Sequence, residues 1–365
     1  MTIAEHLLSP DVTLTEHVRR CRSKLARELA NQHPVYLDVN FWIGLRKAAS
    51  ASQRTGASPM EKLLVRLREL VHAERIFCPI SDATFVELFK QSDPGTRRST
   101  AQLIDELSRG TVIAPFDDRI RLEFEYFFHT LEGHDLPPLR SFAWLRAPYV
   151  LGLHFPPDAG LGEAQDLAIQ KAFFDELWAT PLTEMVDRLA GSSPSAADPF
   201  SSLAERLNHG IVQHADEIVS FQTAYRHELI GALDVCVSTA ADVVLRLHRP
   251  ESLHTDAAPS SKALSALHAL LLKKFKENAT RLTLRTIHIN TCLHASKRWD
   301  KRQRFEANDF HDFHHANAGL GYCDFFFTEK ALAAHVTSQQ TKLDRLFDCK
   351  VASSAAEALR ALEAV

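Results

Sequence analysis

The sequence predicts an α/β protein, a parallel sheet flanked by helices and interrupted by a large all-helical insertion. Three observations carry this expectation. The short continuous apolar runs Val35–Leu37, Arg75–Ile80 and Thr111–Phe116 alternate with segments of helical length, as buried parallel strands joined by helices do. Residues 118–304 then read as almost continuous helix. After Phe305 the strand-and-helix alternation resumes.

Taken in order, Thr13–Asn31 carries Leu14, Val18, Leu25 and Leu29 at roughly helical intervals and stops before His33-Pro34, so 1–33 forms an N-terminal helix. Val35-Tyr36-Leu37 is the first strand, halted at Asp38. The second run leads to Ser81, an expected N-cap for a helix with Phe85, Leu88 and Phe89 on its apolar side and Thr84, Glu87 and Gln91 on another stripe. Inside the insertion, Pro-, Gly- and Ser-rich segments at 133–138, 155–160, 192–195 and 257–260 separate long helices. The longest, Ser202–Leu247, aligns Leu203, Leu207, Ile211, Ile218, Tyr225, Leu229, Leu233 and Val237, a stripe suited to a bundle core or to a dimer or partner interface. Beyond Phe305 come a helix with Asn308 as N-cap, a strand Cys323–Thr328, a short helix, a strand around Cys349–Val351 and a closing helix Ser354–Glu363. The expected division is 34–117 with 305–365 as one sheet domain around 118–304.

At 45% hydrophobic and 24% charged, the 365-residue chain can bury a core, which excludes a disordered or fibrous class. No run approaches the roughly 20 apolar residues of a membrane span, and Met1–Ser9 lacks the basic-then-apolar order of a secretory leader. A cytoplasmic protein with no membrane partner is expected. The six cysteines are scattered without a Cys-x-x-Cys pair, as free thiols in a reducing compartment are. Net charge is −4, so no global charge points to nucleic acid. Locally it does: Lys273–Arg304 holds ten Lys/Arg against Glu277 and Asp300. Within it, Lys297, Arg298, Trp299, Lys301, Arg302 and Arg304 combine cations for phosphates with an indole for base stacking. A solvated helix face would carry the same charges.

Ligands of open parallel sheets gather at the carboxyl ends of the strands, so acids that end apolar runs are the first candidates. Asp38 stands there, followed by Asn40, although helix capping alone would also place an acid at this turn. Glu87 lies on the helix after the second strand. A third group comprises Asp309 and Asp312, three apart, then Asp324, then Thr328-Glu329 closing the run Phe325-Phe326-Phe327. The helix dipole alone favours the two acids near Asn308. It does not account for Glu329, which repeats the acid-after-strand arrangement of Asp38.

This ordered set, Asp38-x-Asn40, Glu87, and Asp312 sixteen residues before Thr328-Glu329, resembles the PIN-domain nucleases. The resemblance covers Pro34–Phe116 and Phe305–Val351. It departs from the family in Glu329, where Asp is more usual, and in the length of the helical insertion. It implies a carboxylate cleft holding Mg²⁺ or Mn²⁺ for phosphodiester hydrolysis, mostly of RNA. Asp38, Glu87 and Asp312 would hold the metal, with Asp309, Asp324 or Glu329 as a further ligand or water-positioning group, and Asn40 and Thr328 would orient carboxylates or water. The chemistry suits the residues: Mg²⁺ and Mn²⁺ take hard oxygen donors, and clustered carboxylates repel one another without a cation. The expectation is therefore a Mg²⁺- or Mn²⁺-dependent endoribonuclease, whether a toxin of a toxin–antitoxin pair or an RNA-processing enzyme. The rivals are a non-catalytic RNA-binding or scaffolding module and a nuclease of DNA flaps. His311 and His315 stand i, i+4 on a helix, but no partner set for zinc is visible beside them.

Overall fold

A computed structural model of the chain describes residues 1–50, 57–189, 200–213, 216–248, 259–300 and 302–365 and shows mixed α/β structure, short buried strands between longer helices. Two compact units emerge: Met1–Pro115, Arg140–Pro194 and Ala355–Val365 form one, Phe116–Leu139 and Ser195–Ser354 the other. These boundaries differ from those expected from the sequence. Residues 140–189 group with the N-terminal strands, and the last two strands group with the long helices.

In the first unit, the Leu14–Leu29 helix starts at Thr13, whose hydroxyl accepts the Glu16 N–H, and buries Val18, Leu25 and Leu29. It leads into strand β1 (His33–Leu37), buried from Pro34 onward. Strand β2 (Ile76–Phe77) runs parallel to β1, with His33 opposite Ile76 and Pro34 opposite Phe77. The intervening Pro59–His72 helix opens with a Ser58/Glu61 capping box and Pro59, and it packs against both the Val39–Ser50 helix and the Ala355–Ala361 helix. Strand β3 (Thr111–Ile113) touches Ile80 through a parallel bridge at Val112, but its main partner is antiparallel: strand β4 (Trp144–Arg146). The expectation of an all-helical insertion from 118 to 304 fails at β4. Three residues are too few to display an alternating pattern, and Trp144 is held there by Phe77, edge to face at 5.2 Å.

In the second unit, the helices Phe116–Leu131, Phe221–His248, Ser261–Lys274 and Arg285–Trp299 share a core that includes Phe124, Phe127, Leu229, Leu233, Leu271 and Ile287. The expected Ser202–Leu247 helix is two, Phe200–Gln213 and Phe221–His248. The second starts where the Ser220 hydroxyl accepts the Thr223 N–H. The Ala307–Tyr322 helix also begins earlier than expected, because Glu306 and not Asn308 is the N-cap. Glu306 and Asp309 exchange reciprocal bonds, the Glu306 N–H donating to Asp309 Oδ2 at 2.7 Å. This helix turns back through Cys323-Asp324 into strand β5 (Phe325–Phe327), parallel to strand β6 (Lys350–Ala352) with Phe325 opposite Lys350. Among the described residues, no helix is long and apolar enough to cross a membrane.

Gly319 permits this close return. A Cβ there would stand 2.6 Å from Cδ2 of Phe326, a ring with no exposed surface to retreat to. Gly319→Ala is therefore expected to destabilise the protein by about 1–3 kcal/mol despite alanine's better helix propensity. A lowered urea midpoint at unchanged m-value checks it.

Candidate functional site

Asp38 follows the last residue of β1 and is 5% exposed. Its Oδ1 accepts the Phe41 N–H at 3.1 Å and its carbonyl accepts the Trp42 N–H, so it caps the Val39–Ser50 helix. Asn40, one residue into that helix, is exposed. Two residues before Asp38, the Tyr36 hydroxyl lies 2.6 Å from Ser81 Oγ and 3.1 Å from Thr84 Oγ1. These buried bonds tie the first turn of the Asp82–Lys90 helix to β1. Ser81 holds the N-cap position as expected, yet makes no side-chain cap bond. Glu87 stands one turn beyond Thr84 on the same stripe, half-buried, and its helix packs against the Val39–Ser50 helix. Asp38 and Glu87 thus belong to adjoining elements of the first unit.

In the second unit, Asp312 is half-buried in the early turns of the Ala307–Tyr322 helix. Since that helix runs antiparallel to β5, its first turns lie toward the carboxyl end of the strand. There, Thr328 is buried with its N–H bonded to Ala352 O, and Glu329 is exposed at the N-cap of the Lys330–Thr337 helix. Asp324 is at the opposite, amino end of β5, about 13 Å of extended chain from Thr328. Asp312, Thr328 and Glu329 therefore lie toward one end of this helix–strand pair, and Asp324 toward the other. Asp309 is committed elsewhere: besides its capping bond, Oδ1 lies 2.7 Å from Lys297 Nζ.

That ion pair also consumes one of the cations assigned to RNA. Lys297 is 15% exposed, and Arg298, 16% exposed, places Nη1 2.6 Å from Glu228 Oε1. Arg302 and Arg304 are exposed, Trp299 is 37% exposed, and Lys301 lies outside the described residues. The earlier part of the basic stretch behaves differently. Lys273, Lys276 and Arg281 join Arg226 around a cavity of about 440 Å³ with Tyr225, Leu229, Leu272 and Phe275 on its walls. Arg281 is aimed by its bond to the Phe275 carbonyl at 2.9 Å and stands over the Tyr225 ring. Arg226, Lys273 and Lys276 make no ion pair among the described residues. The sequence signal for this cavity was the net charge of the 273–304 stretch; Arg226, some fifty residues earlier, gave none.

The histidine run is packed with aromatics. His311 meets Phe200 edge to face at 5.0 Å, and His314 lies 4.7 Å from Phe116. Burial pushes the pKa of nearby His294 down, despite Glu228 and Asp309. Among the described residues, two other groups have ligand atoms within 4.8 Å of one another: His6, His17 and Asp175, and the more exposed His129, Glu132 and His134.

No protein-family model, no curated protein and no solved structure matches this chain.

Proposed function

We propose that the chain is a Mg²⁺- or Mn²⁺-dependent endoribonuclease of the cytoplasm, with Asp38 and Glu87 in the first unit, and Asp312 and Glu329 in the second, as its candidate metal-serving acids. One observation carries the reading: Asp38 ends a buried parallel strand, and Tyr36, two residues earlier, ties to that strand the helix that bears Glu87. Capping accounts for an acid at residue 38, as it would for asparagine or serine there; it does not account for Glu87 on the helix tied to β1. The parallel pair of the second unit repeats the pattern, with Asp312 and Glu329 toward the carboxyl end of β5. A hard divalent cation there would supply a nucleophilic hydroxide and neutralise charge on the phosphoryl oxygens. The chain's own part is to hold oxygen donors with little room to move: Asp38 by burial and its bond to Phe41, Glu87 by the pinned helix. Asp309, already bonded to Lys297, is better placed to orient the helix than to bind metal. Asn40 and Thr328 would position carboxylates or water. The six cysteines are free, as a reducing compartment keeps them.

Cleavage of a mixed RNA pool in Mn²⁺, in EDTA, and by an Asp38→Asn/Asp312→Asn variant tests the reading. Cleavage in Mn²⁺ alone, absent from both controls, supports it. RNA bound but uncut in every lane overturns it in favour of a non-catalytic module. On the same reading the Lys273, Lys276, Arg226 and Arg281 cavity grips phosphates. Lys273→Ala/Lys276→Ala is expected to weaken binding to all RNA sequences alike and to lower the slope of log K against log salt by roughly 1–2, read from fluorescence anisotropy across a salt series.

A further inference from the structure

Three helices from separate parts of the first unit bring two imidazoles and a carboxylate to one point. A Thr2/Glu5 capping box starts the Ile3–Leu7 helix, and the one side chain that this helix buries is His6. Five residues are far too few for a helix to stand alone in water, so its docking contact matters. That contact is polar: His6 Nε2 lies 2.9 Å from Asp175 Oδ2. His17, on the Leu14–Leu29 helix, places its own Nε2 2.7 Å from Oδ1 of the same carboxylate. The three residues are 3%, 12% and 13% exposed.

The surroundings hold these groups in place. The two imidazoles meet edge to face at 4.9 Å, and Phe174 meets the His17 ring at 5.7 Å. Lys171, one turn before Asp175 and fully buried, bonds to the carbonyls of Ser9 and Val12, fixing the segment between the two histidine helices. The Cys21 thiol stands 4.0 Å from His17 Nε2, and the Met1 amino group 3.0 Å from Asp175 Oδ2.

We infer that His6, His17 and Asp175 form a zinc site that fastens the Ile3–Leu7 helix to the Leu14–Leu29 and Glu163–Ala179 helices. Two imidazole nitrogens and a carboxylate are donors that suit zinc and not magnesium. Bonds of about 2.0–2.2 Å in a tetrahedral shell separate ligand atoms by roughly 3.3 Å, so each imidazole–carboxylate distance needs to open by only about half an ångström. The inference is independent of the nuclease reading, which uses other residues and harder ligands.

The test uses the full chain, purified without a polyhistidine tag, stripped with chelator and dialysed against Zn²⁺. Mass spectrometry is expected to find about one zinc per chain, with a raised Tm by mass action and, after Co²⁺ substitution, the visible absorption of a four-coordinate ion. His6→Ala, His17→Ala and Asp175→Asn are each expected to weaken zinc binding by about tenfold or more, while Asp38→Asn and His129→Ala/His134→Ala retain it. A wild-type chain that takes up no zinc overturns the inference. So does zinc that survives His17→Ala but disappears with His129 and His134, or with Asp38. Stoichiometry and Tm are read on the wild-type chain, so absent zinc uptake overturns the inference even where a variant fails to fold, and the His129→Ala/His134→Ala and Asp38→Asn variants locate the zinc that is taken up.

Discussion

Asp38→Asn is expected to reduce RNA cleavage on the order of 100-fold while leaving the melting temperature in metal-free buffer nearly unchanged. The separation follows from the two tasks of one side chain. As a helix cap, Asp38 presents Oδ1 to the Phe41 N–H, and asparagine presents a carbonyl oxygen to the same donor with equal preference. As a metal ligand, the carboxylate supplies a charge that the amide lacks, and Mg²⁺ or Mn²⁺ binding weakens accordingly. Asp38→Ala removes both and is expected to cost about 1 kcal/mol of stability as well, so it is the less informative variant. Mn²⁺ provides a second readout: it raises the wild-type Tm through binding to the folded state, and the rise vanishes in Asp38→Asn. Wild-type cleavage rates in Asp38→Asn sink the nuclease reading. Equal loss of cleavage in Glu87→Gln extends the same role to the adjoining helix.

The parts of the molecule that were readable from sequence are those whose cause is local. Val35-Tyr36-Leu37 and Phe325-Phe326-Phe327 are buried on both faces, so an unbroken apolar run suffices to mark them as strands. Thr13 and Glu16 stand three apart before a leucine stripe, and the helix starts there. What was not readable depends on partners far along the chain. Strand β4 exists because Thr111–Ile113 offers it an edge, and nothing within Trp144–Arg146 announces that. The start of the Ala307–Tyr322 helix was misplaced by two residues because Glu306, an unusual cap, is made effective by Asp309. The same Asp309 reads as a metal ligand until Lys297 is seen beside it, and the cations of 297–304 read as an RNA surface until Glu228 and Asp309 are seen to neutralise two of them. His6, His17 and Asp175 are a stronger case still, since Asp175 lies 158 residues from His17 and no spacing rule connects them.

A second large effect is expected at Glu123, whose carboxylate lies wholly inside the second unit. It accepts the Thr286 N–H at 3.1 Å, the Thr286 hydroxyl at 2.6 Å and the Tyr322 hydroxyl at 2.7 Å, and so caps the Arg285–Trp299 helix from another helix. Glu123→Ala leaves these donors buried without an acceptor and opens a cavity, at an expected cost of about 3–5 kcal/mol. Glu123→Gln keeps an acceptor and isolates the charge. Burial pushes the Glu123 pKa from 4.5 up to about 7, against the pull of Thr286 and Tyr322. The folded state therefore holds this proton more tightly than the unfolded state does, and stability from this group is full below pH 4.5 and lost as pH rises toward 7. Burial acts oppositely on His288, whose Nδ1 lies 2.8 Å from the Tyr225 hydroxyl: its pKa falls from 6.5 to about 3. Its stability is full above pH 6.5 and lost as pH falls toward 3. Between pH 4.5 and 6.5 the two slopes cancel, so single variants unmask one another. Measured as variant minus wild type by urea denaturation, the stability of Glu123→Gln is expected to climb by on the order of 3 kcal/mol from pH 4.5 to 7. For His288→Asn, whose amide can meet Tyr225, the same difference is expected to fall as pH rises from 3 to 6.5. Two differences of the same sign, or none, would show that these buried groups do not titrate against each other in the folded protein.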